Sequence, residues 1–122
     1  MIPGGHVEPG ENIDDAVLRE IKEETSIEAS VKNIISIRSI ILPDGNSEIY
    51  IVFLLDYISG TPTSDGVEND AAAFFDLNIA INAENVVYLS RYLIKKILTA
   101  NYSKLSPDIL YPFSNSNYKL FC

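Results

Sequence analysis

Residues 1–27 of this 122-residue chain read MIPGGHVEPGENIDDAVLREIKEETSI, a glycine-bearing loop that runs into a short acidic helix. Gly4-Gly5 and Pro9-Gly10 bracket the loop, and such pairs make tight turns that let the backbone come close to a ligand. Asn12 stands where an N-cap is needed, with Asp15 placed to complete a capping box. From Ile13 onward, Val17, Leu18 and Ile21 recur at helical spacing and predict the buried stripe. At about 100° per residue, Glu20, Glu23 and Glu24 project together on the adjoining face. Clustered carboxylates repel, so an isolated helix gains nothing from them. Hard divalent cations such as Mg²⁺ or Mn²⁺ take carboxylate and carbonyl oxygens and would offset that repulsion. A solvated acidic helix face is the other reading of the same residues.

Taken with the loop, Gly5, Glu11, Arg19-Glu20-Ile21, Glu23-Glu24 and Ile27 fall at a spacing that resembles the box of the Nudix hydrolases. That family cleaves nucleoside diphosphates linked to another moiety. One specified position departs: Ser26 stands where the family usually carries Gly. Gly there would be the left-handed residue that closes the helix, a conformation Ser adopts at a cost of roughly 1 kcal/mol. Ser26 does not match any of the family's metal ligands, so the departure predicts a slightly strained helix end with its chemistry intact. A domain that has drifted from catalysis is the alternative.

Working outward, the length suits one domain, 1–122, with a modest core. Hydrophobic residues make up 47% and charged residues 21%, which is a globular balance. The net charge of −8, with no basic stretch, argues against nucleic-acid polymers and anionic membranes as partners. Only Arg19 and Lys22 oppose the acids between Glu8 and Glu28, so phosphate substrates would be repelled there without bound metal. The single cysteine, Cys122, excludes an internal disulfide and suits a cytoplasmic setting. No apolar run approaches the ~18 residues of a membrane span, and no signal peptide precedes the box.

Past the helix, residues 31–42 (VKNIISIRSIIL) are rich in β-branched side chains and predict a strand. Pro43-Asp44-Gly45-Asn46 predicts the turn of an antiparallel hairpin. Residues 48–58 (EIYIVFLLDYI) are apolar on both faces and predict a central strand. Residues 59–70 (SGTPTSDGVEND) form a polar loop long enough to carry a binding segment. Residues 71–77 (AAAFFDL) read as a short strand. Asn82 can cap a helix over about 83–100, with Val86, Leu89, Leu93 and Ile97 as its stripe. The tail, 101–122, reads as loop or partial order, with Tyr111, Phe113, Tyr118 and Phe121 docking on the core.

The resemblance implies an α/β fold: a Nudix-like α/β/α sandwich with a mixed sheet. It also implies a chain shortened before the box, because the family usually carries strands there. A second copy of the chain, as a homodimer, would cover the sheet edge so exposed. By the same resemblance, Glu20, Glu23 and Glu24 would hold Mg²⁺ or Mn²⁺ with the carbonyl of Gly5. Glu68 would add a fourth ligand, with Asp65 and Asp70 as alternatives. Arg19 would orient Glu23 through an i,i+4 pair, and Glu11 would fix Arg19 from the loop. Glu20 and Glu68 are the two general-base candidates. Gly4, Gly5 and His6 would lie against the substrate phosphates, although loop packing explains His6 as well. The implied reaction is metal-dependent hydrolysis of a nucleotide sugar, ADP-ribose or a nucleoside triphosphate. An inactive nucleotide-binding or regulatory protein on the same fold is the alternative. Pro43 lies sixteen positions beyond Ile27, a spacing similar to that of the ADP-ribose-cleaving branch, though a turn needs no functional reason for proline.

Overall fold

The β-branched run after the acidic helix and the apolar run that follows it are joined by a turn with strong local chemistry, and the computed structural model folds them into one long hairpin. The structure describes residues 2–67, 72–99 and 104–122. In chain order its elements are α1 (Ile13–Thr25), β1 (Glu28–Ile41), β2 (Ser47–Ser59), α2 (Leu77–Ala80), α3 (Tyr88–Leu98) and β3 (Tyr118–Phe121). At the hairpin tip Leu42 donates its N–H to Asn46 O at 2.8 Å, and Gly45 donates to Leu42 O at 2.9 Å. Asp44 Oδ1 accepts the Asn46 N–H at 2.9 Å, and Gly45 takes φ +87°. That left-handed corner is why glycine stands there.

The described sheet is three-stranded in the order β2-β1-β3, and both pairings are antiparallel. Two expectations are corrected here. The sheet is antiparallel where a mixed one is expected, and β1, not β2, is its centre. The tail is the reason: residues expected to be loosely ordered form β3, with Leu120 opposite Arg38 and Phe121 opposite Ile37. Among the described residues β2 pairs with β1 alone, and Ile49 on it is 67% exposed. Register shifts between Val31 and Asn33 and between Ile34 and Ser36 mark bulges, which bend and twist the hairpin.

The core lies between the sheet, α3 and the tail. Ile35, Val52, Leu93, Tyr111, Leu120 and Cys122 are its buried members, with Leu89, Tyr92 and Ile97 packed against them. Asp108 ties the tail to α3, accepting Tyr92 OH at 2.5 Å and Cys122 Sγ–H at 3.3 Å on Oδ2. Lys96 Nζ stands 3.6 Å from the same oxygen. Burial pushes the Asp108 carboxyl up, but its hydrogen bonds and Lys96 outweigh that and hold it below the usual carboxylate range. Burial pushes the Cys122 thiol up to about 11.

Further corrections concern the later elements. No strand forms over 72–76, where Phe74 and Phe75 are 64% and 74% exposed. Asp76 caps α2 through the Asn78 N–H at 2.8 Å, so the chain turns instead of extending. Helix α3 starts at Tyr88, later than expected, and Asn82 does not cap it. Residues 81–86 turn instead, with Ala83 N–H to Ala80 O at 3.1 Å and Val86 N–H to Ala83 O at 3.3 Å. Arg91 holds those turns by donating to Ile81 O at 2.8 Å and to Ala83 O at 2.5 Å. The β-branched pair Val86-Val87 also resists an earlier start. No described helix is long and apolar enough to cross a membrane.

Candidate active site

The acidic helix α1 starts and stops where its sequence says, though not by every expected device. Asn12 has the extended N-cap backbone, yet its side chain makes no capping bond, so the capping box with Asp15 does not form. Ser26 takes φ 64°, ψ 16° and gives its N–H to Lys22 O at 2.9 Å, the left-handed close expected of the missing glycine. The buried members of the helix are Ala16, Glu24 and Thr25. Val17, Leu18 and Ile21 are only half-buried and Ile13 is exposed, so the expected apolar stripe is not the most covered flank. A carboxylate is. Glu24 is 7% exposed.

Arg19 gathers the loop and the helix acids. Its Nε donates to Glu11 Oε2 at 2.8 Å and its Nη2 to Glu11 Oε1 at 3.0 Å, a bidentate pair. Nη1 donates to Glu20 Oε1 at 2.8 Å and to Glu23 Oε2 at 3.2 Å. Nη2 also reaches the carbonyl oxygen of His6 at 3.0 Å. The Arg19–Glu23 pair is therefore present as expected, but the shorter bond goes to Glu20. Hydrogen bonds from Arg19 pull the Glu11 carboxyl below the usual carboxylate range, helped by the Glu8 backbone. Glu11 and Glu20 in turn raise the Arg19 guanidinium, so it stays charged.

The glycine loop lies directly on this acid face. Gly4 donates its N–H to Glu24 Oε2 at 3.2 Å. A Cβ at Gly5 would overlap the Glu20 carboxyl group, so only glycine lets the backbone come this near. His6 contributes its carbonyl oxygen, and no described hydrogen bond uses its imidazole. Glu8, read in the sequence only as part of the local charge, joins the group: its N–H bonds Glu11 Oε1 at 3.1 Å and its carboxylate stands 3.8 Å from Arg19. Its place two residues before the Pro9-Gly10 turn's end gave no sign of that. Thus Gly4, Gly5, His6, Glu11, Arg19, Glu20, Glu23 and Glu24 are brought together. Glu68 and Asp70 lie outside the described residues. Asp65 caps a local turn through the Val67 N–H at 2.9 Å.

Two half-covered or buried carboxylates, Glu20 and Glu24, under a backbone loop form a hard-oxygen donor set, the kind divalent cations take. The fit is one of donor chemistry. Among the described residues no three acid, histidine or cysteine side chains converge as a ready cage, and Arg19 engages Glu20 and Glu23.

Residues 1–97 match the NUDIX domain family. The chain is 41% identical over 93 residues to an ADP-ribose pyrophosphatase from Methanocaldococcus jannaschii, covering 70% of this chain and 53% of that protein. It is 33% identical over 91 residues to the NAD-capped RNA hydrolase NudC of Vibrio atlanticus, covering 75% of this chain and 33% of that protein. To the human protein nucleoside diphosphate-linked moiety X motif 6 it is 31% identical over 99 residues, covering 79% and 31% respectively. The chain therefore spans about half the length of the first of these relatives and about a third of the other two.

Proposed function

The chain belongs to the Nudix family, and from that premise we propose that it is a metal-dependent pyrophosphohydrolase with ADP-ribose as its leading substrate. The observation that carries this is the glycine loop laid on the acid face of α1, with Gly4 on Glu24 and Gly5 flush against Glu20. Glu20, Glu23, Glu24 and the Gly5 carbonyl would hold Mg²⁺ or Mn²⁺, with Glu68 as a further ligand. A cation bound there supplies charge neutralisation for the diphosphate and a lowered pKa for an attacking water. Arg19, itself fixed by Glu11, holds one oxygen of Glu20 and one of Glu23 and so sets where their remaining oxygens point. Glu20 or Glu68 takes the proton from water. Gly4, Gly5 and His6 offer backbone to the phosphates, and the products are a nucleoside monophosphate and a phosphorylated partner.

The choice of ADP-ribose rests on the relative of that activity and on Pro43, which opens the hairpin turn at the branch spacing. The net charge of −8 weighs against a polymeric RNA substrate. We read the chain as one Nudix domain with the family's α/β/α layering, supported by α3 packed on the sheet through Leu93. Its lone free thiol favours a cytoplasmic setting. The β2 edge, unpaired among the described residues and with Ile49 and Tyr57 exposed, favours a homodimer.

The test is hydrolysis of ADP-ribose with millimolar Mg²⁺ or Mn²⁺, run beside nucleotide sugars, dinucleoside polyphosphates and nucleoside triphosphates. Wild type should release nucleoside monophosphate, and Glu24→Gln should lower the rate by about 10- to 100-fold or more, since even groups that only support a metal ligand cost that much. Nucleotide binding without turnover on any of these would support the inactive alternative, and an unchanged Glu24→Gln rate would remove the site.

A further inference from the structure

The hairpin that follows α1 returns to it. Glu28 pairs with Ser59, so the chain leaving β2 crosses directly over the C-terminal end of the helix. Gly60 sits there at φ +104°, and a Cβ on it would stand 2.6 Å from the Ser26 carbonyl oxygen and 3.3 Å from Ile27 Cα. Both the left-handed backbone and the lack of space demand glycine. Tyr57 OH donates to the Gly60 carbonyl oxygen at 2.6 Å. Three residues on, Thr63 donates its N–H to Thr25 O at 2.8 Å, satisfying one of the carbonyls a helix end leaves open. Thr25 is itself buried, with its Oγ1 bonded to Ile21 O at 2.6 Å. The last turn of α1 carries Glu23 and Glu24, and the crossing segment leads straight to Asp65.

We propose that Gly60 and Thr63 are positioning residues that strap the segment leaving β2 onto the end of α1 and so hold its last turn, with Glu23 and Glu24, in place. The inference rests on the metal-dependent reading above and deepens it. No described hydrogen bond joins Gly60 or Thr63 to Arg19 or to the glycine loop, so these two residues hold the helix end separately from the Gly4–Glu24 bond.

The experiment is Mn²⁺ titration followed by electron paramagnetic resonance, with thermal melting of the metal-free proteins, on wild type, Gly60→Ala, Tyr57→Phe and Gly45→Ala. Gly45 has φ +87° but open space around a Cβ, so Gly45→Ala imposes backbone strain at the distant hairpin tip without crowding α1. Gly60→Ala should weaken Mn²⁺ binding by about 10- to 100-fold, the effect of losing support behind a metal ligand. Gly45→Ala should lower the melting temperature and leave Mn²⁺ affinity at the wild-type value. Tyr57→Phe keeps its edge-on contact with Phe74 and loses only the bond to Gly60, so it should weaken Mn²⁺ binding in the same direction by a smaller factor. Should Gly60→Ala fail to fold, Tyr57→Phe decides. Wild-type affinity in both folded variants overturns the strap. A wild type that binds no Mn²⁺ overturns the metal-dependent reading and this inference with it.

Discussion

Ser26 closes α1 at φ 64° without the glycine that conformation favours, and a single substitution measures what that costs. Ser26→Gly should raise unfolding free energy by about 1 kcal/mol in urea, from relief of the left-handed backbone. A neutral or destabilising result would mean that the helix end is not strained. Glu11 offers a pH-dependent counterpart. Its carboxyl is held below the ordinary range by Arg19, so the folded protein binds its proton less readily than the unfolded chain does. Stability from that pair is present above the ordinary carboxylate pKa and is lost as pH falls through the folded value. Glu11→Gln should therefore be less stable than wild type at neutral pH, with the gap closing in acid, as read by melting curves across pH. At this scale helix geometry made Ser26 and the i,i+4 pair of Arg19 with Glu23 legible, and the family resemblance supplied the pair of Glu11 with Arg19, whereas the capping box of Asn12 with Asp15 does not form. Ser26, Arg19 with Glu23, and Glu11 with Arg19 all lie within the first 27 residues. The Glu8 contact depends on how the loop folds back onto the helix, which spacing does not encode.

Among the elements, α1 and the hairpin were legible because their signals are local: Asn12 before and Ser26 after the helix, and Asp44-Gly45 between two β-branched or apolar runs. The strand β3 was not, because Tyr118–Phe121 is flanked by Asn, Ser and Pro and becomes a strand only by pairing with β1. The strand expected at 71–77 does not form over its described residues 72–77, where Asp76 caps helix α2. Likewise Asn82 has the chemistry of a cap, but Arg91 binds the carbonyls of that turn and delays α3. The energetic weight of β3 can be read at Leu120, which is 1% exposed and sits among Ile35, Val52 and Leu93. Leu120→Ala should cost about 2–5 kcal/mol in denaturant unfolding, the range for emptying a packed leucine site. A loss below 1 kcal/mol would mean that the tail is not part of the cooperative fold.

For the molecule as a whole, the charge distribution ties fold to chemistry. The chain carries −8 overall; its glycine loop turns backbone amides toward Glu11 and Glu24, and Arg19 on α1 engages Glu11, Glu20 and Glu23. Substrate phosphates would meet a repulsive surface unless cations intervene. The family and the residues of its box were readable from the resemblance carried by residues 5–27, whereas the layout of the sheet and the shorter bond from Arg19 to Glu20 required the fold. The most direct measurement is an anomalous difference map from crystals soaked in Mn²⁺. It should show a peak among the carboxylates of Glu20, Glu23 and Glu24 beside the Gly5 carbonyl. A map with no peak there, or with manganese bound only elsewhere on the surface, would contradict the account.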